Sequence, residues 1–339
     1  MLYVGLDVSS ARTAVCVLDA DGTVIRQCSV ESDCGTIAQT LVPHAGEIEQ
    51  IGLEAGPTSA WLARGLRDLG LPVVVIDATH AAAALRTGFR NKTDKNDARG
   101  IADLMRVKKF RPVWVKSVGA QHTRALLTVR EQLRRQSLDL RNAIWSILQA
   151  EGLRPPKLVK SEFRIAVDAA LENQTLRPIL QPLVDVVEHL AREITALDRQ
   201  IAARAKASEP CRRLMTVPGV GPRMALTYVA AVDDPSRFSK SRNVGAHFGL
   251  TPRRWQSGET DWSGGISRAG DAGVRCALYQ AANALIHHSR GWCALKSWAV
   301  RLAGRRGLGK AKVALARKLA GILHRMWISG EPYRFCAAA

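Results

Sequence analysis

The sequence excludes several classes by what it lacks. Its seven cysteines are an odd number with no Cys-x-x-Cys pair, which supports neither a disulfide framework nor a zinc site and fits a reducing compartment. No run of 18 apolar residues occurs, so no membrane span is expected. Met1–Val8 reaches an aspartate at once and has no basic n-region, so no secretory leader is expected, and the cytoplasm is the expected location. Internal repeats and long low-complexity tracts are also absent.

Acidic residues are scarce: 30 Asp and Glu stand against 49 Lys and Arg in 339 residues, a formal net charge of +19. An excess of this size implies a polyanionic partner. It is unevenly placed, because residues 1–105 carry a net −4 and residues 106–339 a net +23. An acidic first domain and a strongly basic remainder are expected to do different work.

Leu2–Val8 reads as a buried strand ending in Asp7. Thr13–Leu18 and Val24–Val30 read as two more strands, with Asp21-Gly22 between them as a hairpin signal. A helix around Gly35–Leu41 follows, then a short strand Gln50–Leu53 delivering Glu54, a helix Thr58–Leu69, a strand Pro72–Ile76 and a helical turn Ala81–Leu85. A three-stranded meander followed by αβαβα suits a mixed sheet with helices on its faces, and is also the order of the ribonuclease H-like fold. From about Gln121 the pattern changes. Leu126, Leu133, Leu140 and Ile147 repeat by seven, and after a break at Arg154-Pro155-Pro156 so do Leu183, Leu190 and Leu197, and Val187, Ile194 and Ile201. Sevenfold spacing predicts two long helices, forming either an antiparallel hairpin or an oligomerising coiled coil. Residues 211–330 are expected to be helical, with glycine-rich turns at Gly219–Gly221, Gly264–Gly265 and Gly304–Gly309. The expected division is 1–110, 111–206 and 207–339.

Four carboxylates stand out by placement: Asp7 and Glu54 at strand ends, and Asp94 and Asp97 at the start of a helix running to about Met105. A spacing of three puts the last two on one helical face. Taken alone, either is more often a helix N-cap. An unpaired carboxylate at the end of an apolar strand is costly, so Asp7 asks for a partner. Four converging carboxylates need cations between them, and Mg²⁺ is the usual one. Two such ions per site can activate an attacking oxygen and stabilise a leaving one in phosphodiester chemistry. Actin-like ATPases and sugar kinases also place an Asp in an N-terminal Gly-x-Asp strand, but the glycine-rich phosphate loop they need is missing before residue 100.

In the basic half, Val217-Pro218-Gly219-Val220-Gly221-Pro222 resembles the turn of a helix-hairpin-helix module, in which Gly219 and Gly221 let the backbone approach a phosphate. Arg253 and Arg254 shortly precede Ser257. A serine here could attack phosphorus while cations stabilise the charge, though Ser263 and Ser267 compete and spacing alone does not choose. Arg290–Gly330 holds ten Lys and Arg, among them Arg305, Arg306, Lys310 and Lys312, and no acid. Trp292, Trp298 and Trp327 are interleaved, as in a backbone-tracking surface with stacking platforms; because apolar residues near Val313–Leu323 follow helical spacing, these aromatics read equally as core.

The stretches LYVGLDVSS, GLEAGPTSAWLARGL, NKTDKNDARGIADLM, MTVPGVGPRMAL and RFSKSRNVGAHFGLTPRRWQSGETDWSGGISRAGD together resemble transposases of the insertion-sequence one-ten family, which includes the Piv-type invertases, and especially its one-eleven-eleven subgroup. The resemblance implies a RuvC-like domain with an Asp-Glu-Asp-Asp set at Asp7, Glu54, Asp94 and Asp97, a coiled-coil region, and a C-terminal transposase domain. It carries the catalytic serine to Ser257, which would form a covalent phosphoserine link with double-stranded donor or target DNA. The acidic domain and Mg²⁺ would assist, and a neighbouring subunit of a dimer or tetramer could supply them. An element-encoded guide RNA is implied as well. Where the family pattern reads Ile-Ser-Lys-x-Gly, this chain has Ile266-Ser267-Arg268-Ala269-Gly270; Arg268 keeps the charge. The competing readings are a RuvC-like junction nuclease in which Ser257 is structural, and a non-catalytic nucleic-acid scaffold.

Overall fold

The computed structural model describes residues 1–44, 46–79, 81, 93–153, 160–289 and 291–335. Most of the expected turn Ala81–Leu85 and the break at Arg154-Pro155-Pro156 lie outside the described residues. The chain divides into two compact units, Met1–Lys116 and Ser117–Ala339.

The first unit is a mixed α/β layer structure. Strands β1 (Leu2–Val8), β2 (Arg12–Leu18) and β3 (Val24–Glu31) form the expected meander, and β4 (Ile48–Glu54) and β5 (Val73–Ile76) continue it on the other side of β1. The sheet order is β3-β2-β1-β4-β5, antiparallel through β1–β2–β3 and parallel through β1–β4–β5. The β2–β3 turn is tied by Asp19, whose carboxylate accepts from the Asp21 and Thr23 amides, with Gly22 at φ 87°.

Strand alternation divides the side chains between two faces. Val4, Leu6, Val15, Val17, Ile51 and Leu53 pack beneath α1 (Cys34–Leu41) and α2 (Ser59–Asp68). The opposite face carries Gly5 and Gly52, and α3 (Asp94–Arg106) lies on it. A Cβ on Gly5 would run into the backbone of Ala98 and Ala102, and one on Gly52 would meet Ile101 and Met105 side chains at 2.8–2.9 Å. These two glycines are register partners, so together they clear the path of the helix. Arg106 at its C-terminal end donates to the Ala20 carbonyl beside the β2–β3 turn. The first turn of α3 therefore points toward the Asp7 end of β1.

Among its described residues the second unit is helical apart from one hairpin. Helices α4 (Val118–Ala150) and α6 (Arg177–Ala207) carry the heptad leucines and flank α5 (Lys160–Leu171). Ile144 and Leu148 pack with Leu180 and Val184, while Arg130 grips Asp198 through two bonds of 2.9 and 3.0 Å. These pairings run in opposite directions along the two helices, so within the chain they are antiparallel. Then come α7 (Glu209–Leu214), α8 (Pro222–Val232), α9 (Arg242–His247), the strands β6 (Pro252–Ser257) and β7 (Thr260–Ile266), α10 (Ala272–His287), α11 (Ala294–Arg306) and α12 (Leu308–Ser329). Their core closes around α12, whose Leu315, Leu319 and Leu323 are fully buried. The β6–β7 hairpin, where the sequence reading had only helices and turns, is the main departure from expectation. No described helix is long and apolar enough to cross a membrane.

Candidate functional site

The acidic set is built on the sheet of the first unit. The last registered pair of the parallel β1–β4 ladder is Leu6–Leu53. Asp7 and Glu54 follow directly, at the ends of strands about 5 Å apart. They alternate to the face that carries Gly5, Gly52 and α3, and both are half-buried.

Thr93 caps α3, its hydroxyl accepting from the Asn96 amide at 3.3 Å. Asp94 and Asp97 are therefore first-turn residues and neither is the N-cap. A negative charge in that turn suits the helix dipole. Asp97 is half-buried and directly precedes Ala98, the residue seated on Gly5; Asp94 is exposed. The Lys95 carbonyl accepts from Gln27 of β3 at 2.8 Å, which sets this turn toward the β3 side of the sheet. The structure thus brings Asp7 and Glu54 side by side, with Asp97 and then Asp94 further out along the helix start. An all-carboxylate donor set has the hard oxygen chemistry that Mg²⁺ takes. Among the described residues, no three His, Cys, Asp or Glu side chains are gathered closely enough to hold a metal ion.

The candidate serines lie in the second unit, on the hairpin. Two backbone segments pack against each other at its base. A side chain on Gly249 (φ 66°) or Gly270 (φ 71°) would collide with backbone of Ala269 or His247, respectively. The Ser267 and Arg268 amides donate to the Thr251 and Gly249 carbonyls, and Arg275 donates to the Ala269 and Gly270 carbonyls at 2.6 and 3.0 Å. Arg268 itself has φ 58°, a left-handed conformation that costs a non-glycine residue energy.

From this base the strands project to a two-residue turn, Gly258-Glu259, with Gly258 at φ 55°. Ser257 is the last residue of β6, exposed, opposite Thr260. Trp255 and Trp262 pair across the strands on the same side as Ser257 and are 69% and 60% exposed. Arg254 and Ser263 face the other way, and Arg254 is tied to Asp261 by bonds of 2.6 and 2.8 Å. Ser267 sits at the base and accepts weakly from the Ala269 amide. Of the three serines, only Ser257 stands at the tip on the tryptophan side. Its hydroxyl has no hydrogen bond among the described residues.

The predicted nucleic-acid contacts divide into three groups. Gly219 (φ 85°) makes its close approach to α10, where a Cβ would meet the Ala281 carbonyl at 2.5 Å; Gly221 faces open space as the N-cap of α8. Arg305 and Arg306 are exposed in the last turn of α11, and Lys312 lies over Tyr279 at 5.9 Å. Arg253, Arg268 and Lys310 line one cavity of about 1120 Å³. The sequence reading missed the tryptophan pair. Trp255 and Trp262 each lie three residues from the Gly258-Glu259 turn, and that symmetry was the available signal.

Two family descriptions match the chain. A DEDD-type IS110 transposase covers residues 4–151, and the transposase family IS116/IS110/IS902 covers residues 211–296. The transposase of insertion sequence IS1111A from Coxiella burnetii is 31% identical over 98% of this chain and 91% of its own length. A probable family 20 transposase of Pseudomonas aeruginosa is 30% identical over 84% and 85%. The pilin gene-inverting protein of Moraxella bovis is 27% identical over 74% and 71%. With both halves matched and a relative aligned along almost its whole length, the chain belongs to the IS116/IS110/IS902 family and is a DNA transposase.

Proposed function

We propose that this transposase cuts and rejoins DNA through Ser257, assisted by an Mg²⁺-binding set of Asp7, Glu54, Asp94 and Asp97 in a RuvC-like domain. The observation that carries the reading is the hairpin, which presents Ser257 at an exposed tip on the same side as the exposed indoles of Trp255 and Trp262. Ser257 Oγ forms a bond to phosphorus as the phosphodiester P–O bond to one deoxyribose breaks. The serine loses its proton and the leaving oxygen gains one. The number of P–O ester bonds is unchanged, so the link keeps the energy needed for rejoining, and attack by a deoxyribose hydroxyl reverses the step onto a new strand. Cations near the hairpin stabilise the charge on the phosphoryl oxygens. Divalent ions, when bound, would supply charge neutralisation and activation of an oxygen. Asp7 and Glu54 would hold them from the strand ends, and Asp94 and Asp97 would complete the set from the helix, closing in when DNA and metal arrive.

The supporting matches extend the reading. The long α4–α6 pair, with Val129, Leu138, Ile179 and Val186 left exposed, is proposed as the coiled-coil region of a three-part chain, 1–110, 111–206 and 207–339, and as the seat of dimer or tetramer assembly. Gly221 at the start of α8, with Gly219 shaping its turn, is proposed to take a DNA phosphate. Arg254, Arg305, Arg306 and Lys312 add to the basic surface. A guide RNA from the same element, acting in the cytoplasm, is part of the family reading.

A second reading starts from the lack of a hydrogen-bonded base at Ser257 among the described residues: metal-activated water cuts a junction and the serine is structural. Trapping separates the two. A denaturation-resistant protein–DNA adduct that is lost in Ser257→Ala supports the serine route, and cutting that persists in Ser257→Ala supports the nuclease.

A further inference from the structure

The cavity beside the hairpin is a groove with cations on both sides and none of the acids needed to balance them. Arg242, Arg253 and Arg268 come from α9 and the hairpin region, and Lys310, Arg317, Lys318 and Arg325 from α12. Among the described residues no Asp or Glu lines it, and none of the seven makes an ion pair. The α12 cations recur at helical spacing along one stripe, so the row from Lys310 to Arg325 extends about 22 Å. Between the two sides the floor is apolar: Leu250, Ile266, Trp298, Val313 and Ile322. Trp262 closes the hairpin side with its ring laid over Gly264.

We infer that this groove binds an unpaired DNA strand, with phosphates on the cation rows and a base stacked on Trp262. The inference rests on the proposal that Ser257 acts on DNA, and names the form of DNA its neighbourhood holds. Cations alone fit any polyanion. A duplex, however, keeps its bases stacked inside and turns only phosphates and groove edges outward, so it has no use for an apolar floor and an exposed indole. Unpaired bases do. Ser257 and Thr260 lie on the same side of the hairpin as Trp262, and Thr260 is two residues from it, about 7 Å along the strand. A strand stacked on Trp262 is thereby led past the serine hydroxyl. DNA is the chosen strand because the atom it reaches is the proposed nucleophile. Ser241, also in the lining, is held from beneath by the fully buried His324, which contacts its hydroxyl at 2.9 Å and the Pro235 carbonyl at 2.9 Å. That carbonyl can only accept, so the histidine Nε2 donates to it.

The test is equilibrium binding of the full chain to an oligo-dT of about 12 nucleotides, a duplex of the same length and an oligo-U RNA. Two variants are read against wild type. Trp262→Ala removes the indole. Gly264→Ala keeps it but displaces it, because the new methyl would meet ring carbons at 2.5–3.1 Å. Both are expected to weaken oligo-dT binding about tenfold and to change duplex binding less than about twofold. Ser257→Ala is expected to leave oligo-dT binding intact. Equal losses for single strand and duplex, no loss for either, or tighter binding of the RNA than of oligo-dT would each overturn the inference. Because the readout is binding, failure of the Ser257 chemistry leaves this result standing, and loss of the groove result leaves the serine route standing.

Discussion

Gly5 has no side chain because the α3 backbone occupies the place of its Cβ. Gly5→Ala is therefore expected to lift the helix from the sheet, destabilising the first unit by about 3 kcal/mol in denaturant titration. It should also lower activity, since the carboxylates on the helix would move away from Asp7. Tyr228 is buried and donates to the Ala320 carbonyl at 2.6 Å, and burial pushes its hydroxyl pKa up. Tyr228→Phe should cost about 1 kcal/mol, and a variant as stable as wild type would show that this bond does not hold α12 in place. Asp271 caps α10 and pairs with Arg124 at 2.6 Å. Burial acts to raise its pKa, but Arg124 and the capping amides outweigh that and hold the carboxyl below its ordinary range. A depressed pKa stabilises the fold above the unfolded value and loses that contribution as pH falls. Thermal melts should thus show the second unit weakening below about pH 4, and Asp271→Asn should flatten that part of the profile.

The capping threonine of α3 sets where its first turn begins. Thr93→Ala should cost about 1 kcal/mol and fray the turn that carries Asp94 and Asp97; amide exchange rising there and not in β1 would confirm it. Elements of this kind were legible from the residues alone. Asp21-Gly22 gave the β2–β3 turn, apolar runs gave β1 and β2, and the sevenfold leucines gave α4 and α6. The spacing of those leucines could not tell an intrachain pair from an intermolecular one, because both bury the same seam; the Arg130–Asp198 bonds, taken with the packing of Ile144 and Leu148 on Leu180 and Val184, give the antiparallel direction within the chain. The hairpin escaped because every residue of β6 is exposed. A strand with no buried side lacks the apolar–polar alternation by which strands are read. The groove was equally hidden, since its walls come from segments about 70 residues apart that only the fold of the second unit brings together. Asp7 and Glu54 could be read because each ends an apolar strand, but their adjacency depends on parallel pairing of β1 with β4, which no local pattern encodes.

Met1–Lys116 carries a net charge of +1 and Ser117–Ala339 a net +18, so nucleic-acid affinity is expected chiefly in the second unit. Binding should fall steeply with salt, and Lys310→Ala and Arg317→Ala should each reduce the slope of log K against log salt by about one. An unchanged slope would remove those residues from the interface. As proposed, one hydroxyl at the tip of the hairpin, that of Ser257, becomes covalently joined to DNA. This link is tested most directly by trapping the protein on its substrate, digesting protein and DNA, and locating the retained nucleotide by fragmentation of the tryptic peptide Trp255–Arg268, which holds Ser257, Ser263 and Ser267. The account predicts a phosphodiester-linked nucleotide on Ser257. A nucleotide on Ser263 or Ser267, or cut DNA with no modified peptide, would contradict it.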